Sequence, residues 1–239
     1  MAWKCSASSN ADLVANLWSH RLVLTPQVAK AMTAVDRACY IPFRLDPYED
    51  SPQPIGFSAT ISAPHMQAYA LENTFPFIKP NSKILDVGSG SGYLCAVFHE
   101  ILLQAAGGDK RHPLSKVVGV DHLSQLALLS KGNLQRDGYA SLLEQGSIQI
   151  ECADGRQGWP AEAPFDVIHV GAAAASMPQA LVDQLACPGR MFIPVGTTTQ
   201  QIYEVTKSET GQVTITKLMG VQYIPLCDAT VQWTEDDNL

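Results

Sequence analysis

Strands and helices alternate along the chain from residue 83 onward, and a glycine-rich turn joins the first pair. Lys83–Val87 has the apolar pattern of a buried strand, residues 88–92 read Gly-Ser-Gly-Ser-Gly, and Tyr93–Ala105 has helical periodicity. Successive strands joined by helices lie parallel in one sheet, because each right-handed crossover returns the chain to the same edge. The pattern therefore predicts a parallel sheet with the glycine turn at the carboxyl end of one strand.

The rest of the chain first extends this pattern and then changes it. Further strands are predicted at residues 116–120, 147–152, 165–170 and 190–195, and further helices at 123–136 and 178–185. Residues 201–206 and 212–217 instead alternate apolar and polar side chains around a turn, which predicts an antiparallel hairpin. The expected fold class is α/β, with a Rossmann-like, doubly wound, mostly parallel sheet and antiparallel C-terminal strands.

The segment before residue 81 is predicted to hold helices and one irregular stretch. Asn10 is placed as the cap of a first helix, and the Thr25 hydroxyl as the cap of a second helix that begins at Pro26. Residues 41–64 contain five prolines, a density that disfavours regular helix and sheet interior. This irregular stretch is predicted to form a lid over the site or, equally, to pack Tyr48, Ile55 and Phe57 as a satellite of the core. A helix is predicted to follow it over residues 64–75.

Length and composition bound the function. A chain of 239 residues suits a single domain, 1–239, with N-terminal helices and a substrate or lid segment over 1–80 and a cofactor-binding α/β core over 81–239. The net charge of −7 disfavours nucleic acid as a partner. No apolar run suggests a signal peptide at Met1–Ser6 or a membrane span, and the six cysteines form no C-x-x-C pair. A cytoplasmic monomer with reduced thiols is expected.

The glycine turn indicates a bound ligand, because glycine permits positive φ and lets a ligand approach the backbone. Tyr93 occupies the last glycine position of the dinucleotide fingerprint, and no Gly-Lys-Ser/Thr follows as in a P-loop. Asp86, two residues before Gly88, would repel a pyrophosphate but suits the sulfonium and amino groups of S-adenosylmethionine. The turn therefore favours S-adenosylmethionine over NAD, with an unliganded structural turn as the alternative.

Acidic residues also end the next two strands. Asp121 lies at the carboxyl edge where open α/β sheets bind ligands, and it is predicted to accept hydrogen bonds from ribose hydroxyls, or else to cap the following helix. Asp154 and Gly155 are predicted to contact the adenine, with an ordinary turn as the alternative. Together with Asp86, these carboxylates are predicted to surround one positively charged nucleoside.

Several stretches resemble a known family. Residues 86–92, Asp-Val-Gly-Ser-Gly-Ser-Gly, are similar to motif I of S-adenosylmethionine-dependent methyltransferases. Residues 60–66 (Thr-Ile-Ser-Ala-Pro-His-Met), 154–159 and 169–174 resemble the protein-L-isoaspartate O-methyltransferases in particular, and the first of these stretches is highly specific. The resemblance covers about residues 10–233.

This resemblance implies a class I methyltransferase fold and a protein repair reaction. A methyl group passes from S-adenosyl-L-methionine to the α-carboxyl of an L-isoaspartyl residue in a damaged protein or peptide, leaving S-adenosyl-L-homocysteine, and the ester collapses through a succinimide toward normal aspartyl. The implied active-site residue is Ser62. The glycine turn and the resemblance together predict the following cofactor contacts: Ala59, Thr60, Ile61, Ser62, Gln67, Asp86, Gly88, Ser89, Gly90, Ser91, Asp121, His122, Asp154, Gly155, Cys227 and Gln232.

The chain departs from the family pattern at three places. Gln67 stands where a histidine is expected, and Cys227 stands where a threonine is frequent. Residues 186–189 read Ala-Cys-Pro-Gly instead of Lys-Pro-Gly-Gly. The first two departures bear on cofactor contacts, whereas the third falls in a turn.

The implied chemistry needs no general base, because a carboxylate is ionised at pH 7. Ser62 is therefore expected to orient the substrate carboxylate or the donor by hydrogen bonding, with a helix cap before Pro64 as its structural alternative. His65 is assigned equally to the site and to helix packing, and His169 to the core. The competing functions are another methyltransferase, a cofactor-binding adaptor without turnover, and an NAD-dependent dehydrogenase.

Overall fold

The computed structural model describes residues 5–42, 45–107 and 115–233. The expectation that Met1–Ser6 holds no signal peptide falls mostly on residues 1–4, which lie outside these ranges. The helices are α1 (Asn10–Ser19), α2 (Pro26–Ala34), α3 (Pro64–Thr74), α4 (Tyr93–Ala105), α5 (Ser124–Arg136), α6 (Ala140–Glu144), α7 (Gln179–Asp183) and α8 (Ala229–Gln232). The strands are β1 (Gln53–Gly56), β2 (Ala59–Ile61), β3 (Lys83–Val87), β4 (Lys116–Asp121), β5 (Ile148–Cys152), β6 (Phe165–Val170), β7 (Leu185–Val195), β8 (Gln200–Lys207) and β9 (Val213–Val221). None of the described helices has the length and apolar character needed to cross a bilayer.

Seven strands form one sheet in the order β5-β4-β3-β6-β7-β8-β9. The first five strands in this order are parallel, and β8 and β9 are antiparallel to their neighbours. The predicted α/β fold class with antiparallel C-terminal strands is confirmed. The chain runs from β3 to β4 on one side and later enters β6 on the other side, so strand order reverses at β3. Ligands bind at such a reversal in open α/β sheets, beyond the carboxyl ends of the strands.

Helices cover both faces of the parallel strands, and alternate side chains of β3 show the two faces. Ile84 belongs to an apolar cluster that includes residues of α1, α2, α4 and α5. Leu85 and Val87 belong to a second cluster, with residues of α7 and β7. Burying each such side chain stabilises the fold by about 1.5–3 kcal/mol. This two-sided burial holds the end of β3 in a fixed position.

Two predicted helix caps are wrong in detail. The first helix is capped by Ser9, whose Oγ accepts from the Asp12 N–H. Asn10 is instead buried, and its amide donates to carbonyl oxygens at the end of α2, including that of Met32. Thr25 occupies the predicted cap position of α2, but its hydroxyl donates to Glu72 Oε2 at 2.6 Å. In both places a long-range partner takes the side chain that the local pattern assigns to capping.

The proline-rich residues 41–64 are more regular than expected, because β1 and β2 form a short antiparallel hairpin within them. Phe57 and Ser58 make its turn, both with a φ of 53°. Proline is tolerated here because a two-stranded ribbon leaves backbone N–H groups unpaired at its edges. Phe57 packs edge-on against Trp233, with ring centroids 5.1 Å apart. The hairpin thereby contacts the C-terminal segment.

The predicted boundaries near the end of the chain also shift. The helix predicted at 178–185 is limited to α7, and β7 begins five residues earlier than the predicted 190, at Leu185. The residues 186–189 that depart from the family pattern therefore lie within a strand rather than in a turn. The short helices α6 and α8 were not predicted. Five and four residues long, they are too short to show helical periodicity.

Candidate functional site

The glycine turn after β3 has the conformation that its composition predicts. Gly88, Gly90 and Gly92 have φ values of +71°, +50° and +83°. The N–H groups of Gly88 and Ser89 donate to the Val120 carbonyl oxygen, which ties the turn to β4. A Cβ on Gly92 would come within 2.3 Å of Ser130 Oγ, so this position needs glycine for space as well as for φ.

The turn borders a main cavity of about 740 Å³ at the carboxyl edge of the sheet. The structure brings together nine of the predicted site residues around it: Ala59, Thr60, Ser62, Gly88, Gly90, Asp121, His122, Gly155 and Gln232. They come from the β1–β2 hairpin, from three parallel strand ends and from α8. The cavity is also lined by residues 219–226, which comprise the end of β9 and the segment that follows it.

A small cavity of about 40 Å³ borders the same turn. Its lining includes five further predicted site residues: Ile61, Gln67, Asp86, Ser89 and Ser91. Thr60, Ser62, Gly88 and Gly90 line both cavities. The two spaces therefore adjoin along the turn and the β2 segment.

Asp121 faces the main cavity and also holds the turn. Its Oδ2 accepts from the Gly90 N–H at 3.0 Å, and its Oδ1 accepts from the Leu123 N–H at 3.2 Å. Burial raises the pKa of the Asp121 carboxyl, although these N–H donors act in the opposite direction. Leu123, not Asp121, occupies the cap position of α5. The unused acceptor positions of the carboxylate remain for a ligand.

The expectation that three carboxylates surround one ligand is wrong for the main cavity. Asp86 is 2% exposed and its Oδ1 lies 2.7 Å from His169 Nδ1, so it lines only the small cavity. Asp154 lines neither space, because both of its oxygens accept from the Arg156 guanidinium. Hydrogen bonding from Arg156 lowers the pKa of Asp154. Strand-end position alone did not determine where these side chains point.

His122 and Gln232 close one wall of the main cavity. His122 Nδ1 lies 2.9 Å from the Cys227 carbonyl oxygen, and Nε2 lies 2.8 Å from Gln232 Oε1. The Gln232 amide also donates to the Phe57 carbonyl oxygen at 3.2 Å. Cys227 lines neither cavity. It contacts the site through its backbone carbonyl oxygen, which lies beside His122. These contacts join α8, β4 and the β1–β2 hairpin.

Ser62 lies between β2 and α3, where both cavities meet. The alternative role of Ser62 as a helix cap is wrong, because Ala63 holds the cap position of α3 and no side chain caps that helix. The Ser62 carbonyl oxygen accepts from Arg37 Nη2 at 2.9 Å. Burial raises the pKa of the neighbouring Tyr223 to about 12, and a hydrogen bond with the Ser62 side chain opposes this rise. Ser62 and Tyr223 both line the main cavity.

Tyr223 was missed by the sequence reasoning. Its N–H donates to Gln200 Oε1 at 2.5 Å, and its carbonyl oxygen accepts from Gln200 Nε2 at 3.1 Å. Gln200 is buried at the start of β8, so this amide fixes the segment after β9 against the sheet. No local pattern marks Tyr223, because its position depends on a contact with Gln200, which is distant in sequence and lies on β8.

The two histidines near the site have different surroundings. His65 lines the main cavity, and its Nδ1 lies 2.8 Å from Asp50 Oδ1. Asp50 is buried and also accepts from the His65 backbone N–H. His169 is 5% exposed and stacks on Phe192, which agrees with the expected core position. His65 therefore belongs to the cavity wall and His169 to the sheet interior.

The donors and acceptors around the two cavities fit S-adenosylmethionine. Asp121 offers acceptor oxygens to hydroxyl groups in the main cavity. Ser89 Oγ, beside the small cavity, is buried and has no hydrogen-bond partner among the described residues, so it is available to a ligand group. Gly88 and Gly90 expose backbone without side chains at the junction of the two cavities.

Comparison with known proteins agrees with this geometry. The family model "Protein-L-isoaspartate(D-aspartate) O-methyltransferase (PCMT)" matches residues 8–231. A protein-L-isoaspartate O-methyltransferase of Triticum aestivum is 42% identical over 227 residues, covering 95% of each chain. One of Caenorhabditis elegans is 39% identical over 237 residues, covering 99% of this chain and all of the relative.

A solved structure extends the comparison to three dimensions. It is a Plasmodium falciparum protein described as a protein-L-isoaspartate O-methyltransferase, in complex with S-adenosyl-L-homocysteine. The two chains are 33% identical and superpose with a TM-score of 0.83, covering 92% of this chain and 99% of that one. Because the family model and these relatives span nearly all of its length, this chain belongs to the protein-L-isoaspartate(D-aspartate) O-methyltransferase family.

Proposed function

We propose that this chain transfers a methyl group from S-adenosyl-L-methionine to the α-carboxyl group of L-isoaspartyl residues in damaged proteins and peptides. Family membership gives the reaction, and one structural observation carries its assignment to this site. Ser62 and Asp121 line the same cavity together with Gly88 and Gly90 of the glycine turn. A group that orients a substrate carboxylate and a group that binds a nucleoside thus lie around one space.

The proposed donor site consists of the turn and the strand ends around it. Asp121 accepts hydrogen bonds from the ribose hydroxyls, and the bare backbone of Gly88 and Gly90 lets the donor approach closely. Gly155 and His122 line the neighbouring wall. When bound, S-adenosylmethionine supplies an electrophilic methyl group on a positively charged sulfur.

The proposed catalytic role of Ser62 is orientation. The isoaspartyl carboxylate is ionised at neutral pH, so no residue needs to remove a proton. The Ser62 hydroxyl, which lines the main cavity beside Tyr223, donates a hydrogen bond that directs one carboxylate oxygen toward the methyl group. Residues of the β1–β2 hairpin and of α8 cover the site and exclude water, which removes a competing solvent shell from the carboxylate.

The function is tested with labelled S-adenosylmethionine and two peptides that differ only in an isoaspartyl or an aspartyl linkage. We expect label to enter only the isoaspartyl peptide. Donor binding without transfer to either peptide would instead identify an adaptor, and equal labelling of both peptides would identify a different methyltransferase.

Replacing Ser62 with alanine is expected to lower kcat about a hundredfold, the effect typical of removing one oriented hydrogen-bond donor at a reaction centre. Donor affinity, measured by calorimetry, should change by less than about threefold, because the wall of the donor site is kept. Ser141→Ala, an exposed serine on α6, is the matched control and should retain wild-type turnover. Unchanged kcat in Ser62→Ala would remove Ser62 from the catalytic site.

We further propose that the chain works as a single-domain monomer in the cytoplasm. One apolar cluster contains residues of the N-terminal helices and of the α/β core together, which supports one folding unit. All six cysteines are free, and a reducing compartment keeps such thiols unpaired. Sedimentation and cell fractionation test these two proposals.

A further inference from the structure

Arg37 is a buried guanidinium whose charge is not balanced nearby. It is 0% exposed, and no described carboxylate lies within ion-pair distance of it. Burial lowers its pKa to about 10, and interactions with Tyr93 and Asp50 oppose this shift only in part. A buried charge without a counter-charge is costly to the fold, which indicates an anionic group that joins it in the functional state.

The contacts of Arg37 connect it to the donor site. Its Nη1 donates to Gln67 Oε1 at 2.7 Å, and its Nη2 donates to the Ser62 carbonyl oxygen at 2.9 Å. The guanidinium also lies over the Tyr93 ring, 5.7 Å from the centroid. Tyr93 begins the helix that follows the glycine turn, so Arg37 is fixed against three parts of the site at once.

Arg37 determines which way the Gln67 amide faces. A guanidinium has only donors, so the amide oxygen must point toward it, and a flipped amide would set N–H against N–H. The other end of the amide, Nε2, has no acceptor within the described ranges 5–42, 45–107 and 115–233. Gln67 lines the small cavity together with Ser89, whose hydroxyl also has no partner there. Two groups that can donate therefore face one small space, and the carboxylate that also lines it, Asp86, is bound by His169 and Cys95.

We propose that Arg37 is a positioning residue for the methyl donor. It holds the Gln67 amide with its N–H groups toward the small cavity, where Gln67 and Ser89 bind the carboxylate of the donor's methionine end. The carboxylate is the one anionic group of S-adenosylmethionine and supplies the negative charge that the fold around Arg37 lacks. This inference rests on the proposed donor site.

The same geometry explains how glutamine can stand where a histidine is expected. A neutral imidazole at position 67 accepts from Arg37 with one nitrogen and donates with the other, as the amide does. Glutamate has the same shape as glutamine but only acceptor atoms. It would pair with Arg37 and present a second carboxylate to the small cavity.

The test compares two ligands by calorimetry: S-adenosyl-L-homocysteine and S-adenosyl-3-thiopropylamine, which lacks the carboxylate. Gln67→Glu should bind the first ligand at least about tenfold more weakly than the wild type and the second within about threefold. Its thermal stability should be equal or higher, because it gains an ion pair with Arg37. Gln67→His, unlike Gln67→Glu, should keep the wild-type preference for S-adenosyl-L-homocysteine over the ligand that lacks the carboxylate. Arg37→Lys keeps the charge but cannot donate from two nitrogens to Gln67 and the Ser62 carbonyl oxygen at once. It should therefore give an intermediate preference for the ligand with the carboxylate.

Three outcomes would overturn the proposal: wild-type affinity of Gln67→Glu for S-adenosyl-L-homocysteine, an equal loss for both ligands, or an unchanged preference in Arg37→Lys. Failure of the wild-type chain to bind S-adenosyl-L-homocysteine at all would instead overturn the proposed donor site. If Gln67→Glu does not fold, Gln67→Met removes the amide without adding charge and permits the same two-ligand comparison.

Discussion

Replacing Asp121 with asparagine is expected to weaken S-adenosylmethionine binding about a hundredfold, because hydrogen bonds to a charged acceptor contribute about 1.5–3 kcal/mol each. The carboxylate also accepts from the N–H groups of Gly90 and Leu123. An asparagine amide can satisfy only one of them and turns its own N–H groups toward the other. The variant therefore loses ribose contacts and loosens the glycine turn together.

Calorimetric titration with the donor measures this effect. Asp183→Asn, on the exposed side of α7, is the matched control for removing one carboxylate and should bind like the wild type. Circular dichroism establishes that both variants are folded. Asp121→Asn with wild-type affinity would place the ribose away from β4 and contradict the proposed donor site.

The raised pKa of Asp121 also predicts a pH dependence with opposite signs for stability and binding. Because the folded state favours the protonated acid, Asp121 lowers stability above its raised pKa, and stability is recovered as the pH falls through that value. Donor binding needs the ionised acceptor, so donor affinity should fall as the pH is lowered through the interval around the raised pKa of Asp121. This loss should occur at a higher pH than for an ordinary aspartate. Affinity of Asp121→Asn should not change over that interval. A parallel pH profile in the two proteins would contradict this assignment.

Replacing Asp86 with alanine is expected to lower the free energy of unfolding by about 3–5 kcal/mol, the range found when one partner of a buried pair is removed. Asp86 and His169 are register neighbours on β3 and β6, and their side chains lie 2.7 Å apart. Asp86 Oδ2 also accepts from Cys95 Sγ at 3.4 Å. Without the carboxylate, a buried imidazole and a buried thiol both lose their partner.

Urea unfolding measures this change, and Asp86→Asn serves as the comparison. Asparagine keeps one oxygen for His169, so the loss should be smaller, about 1–2 kcal/mol. Donor affinity of Asp86→Asn is expected to stay near that of the wild type, because the two Asp86 oxygens are bound by His169 and Cys95 and not left for a ligand. A loss of less than about 1 kcal/mol in Asp86→Ala would show that the pair is not structural.

Elements with a strong local pattern could be predicted from the sequence. The boundaries of β3 and α4 agree with the prediction at both ends, because an apolar run, a glycine turn and a helical period mark them without help from distant residues. The position of Asp121 at the carboxyl edge follows in the same way. Caps and short helices were less predictable, since Glu72 and the end of α2 compete for the side chains of Thr25 and Asn10.

The sequence by itself determined the α/β architecture, the glycine turn and the strand ends that border the main cavity, because periodic burial and positive φ are encoded locally. Only the tertiary structure decided that Asp121 faces the main cavity whereas Asp86 binds His169. It also brought Arg37 to Gln67, thirty positions along the chain. Contacts of this kind depend on which helices and strands pack together, and no local period records that packing.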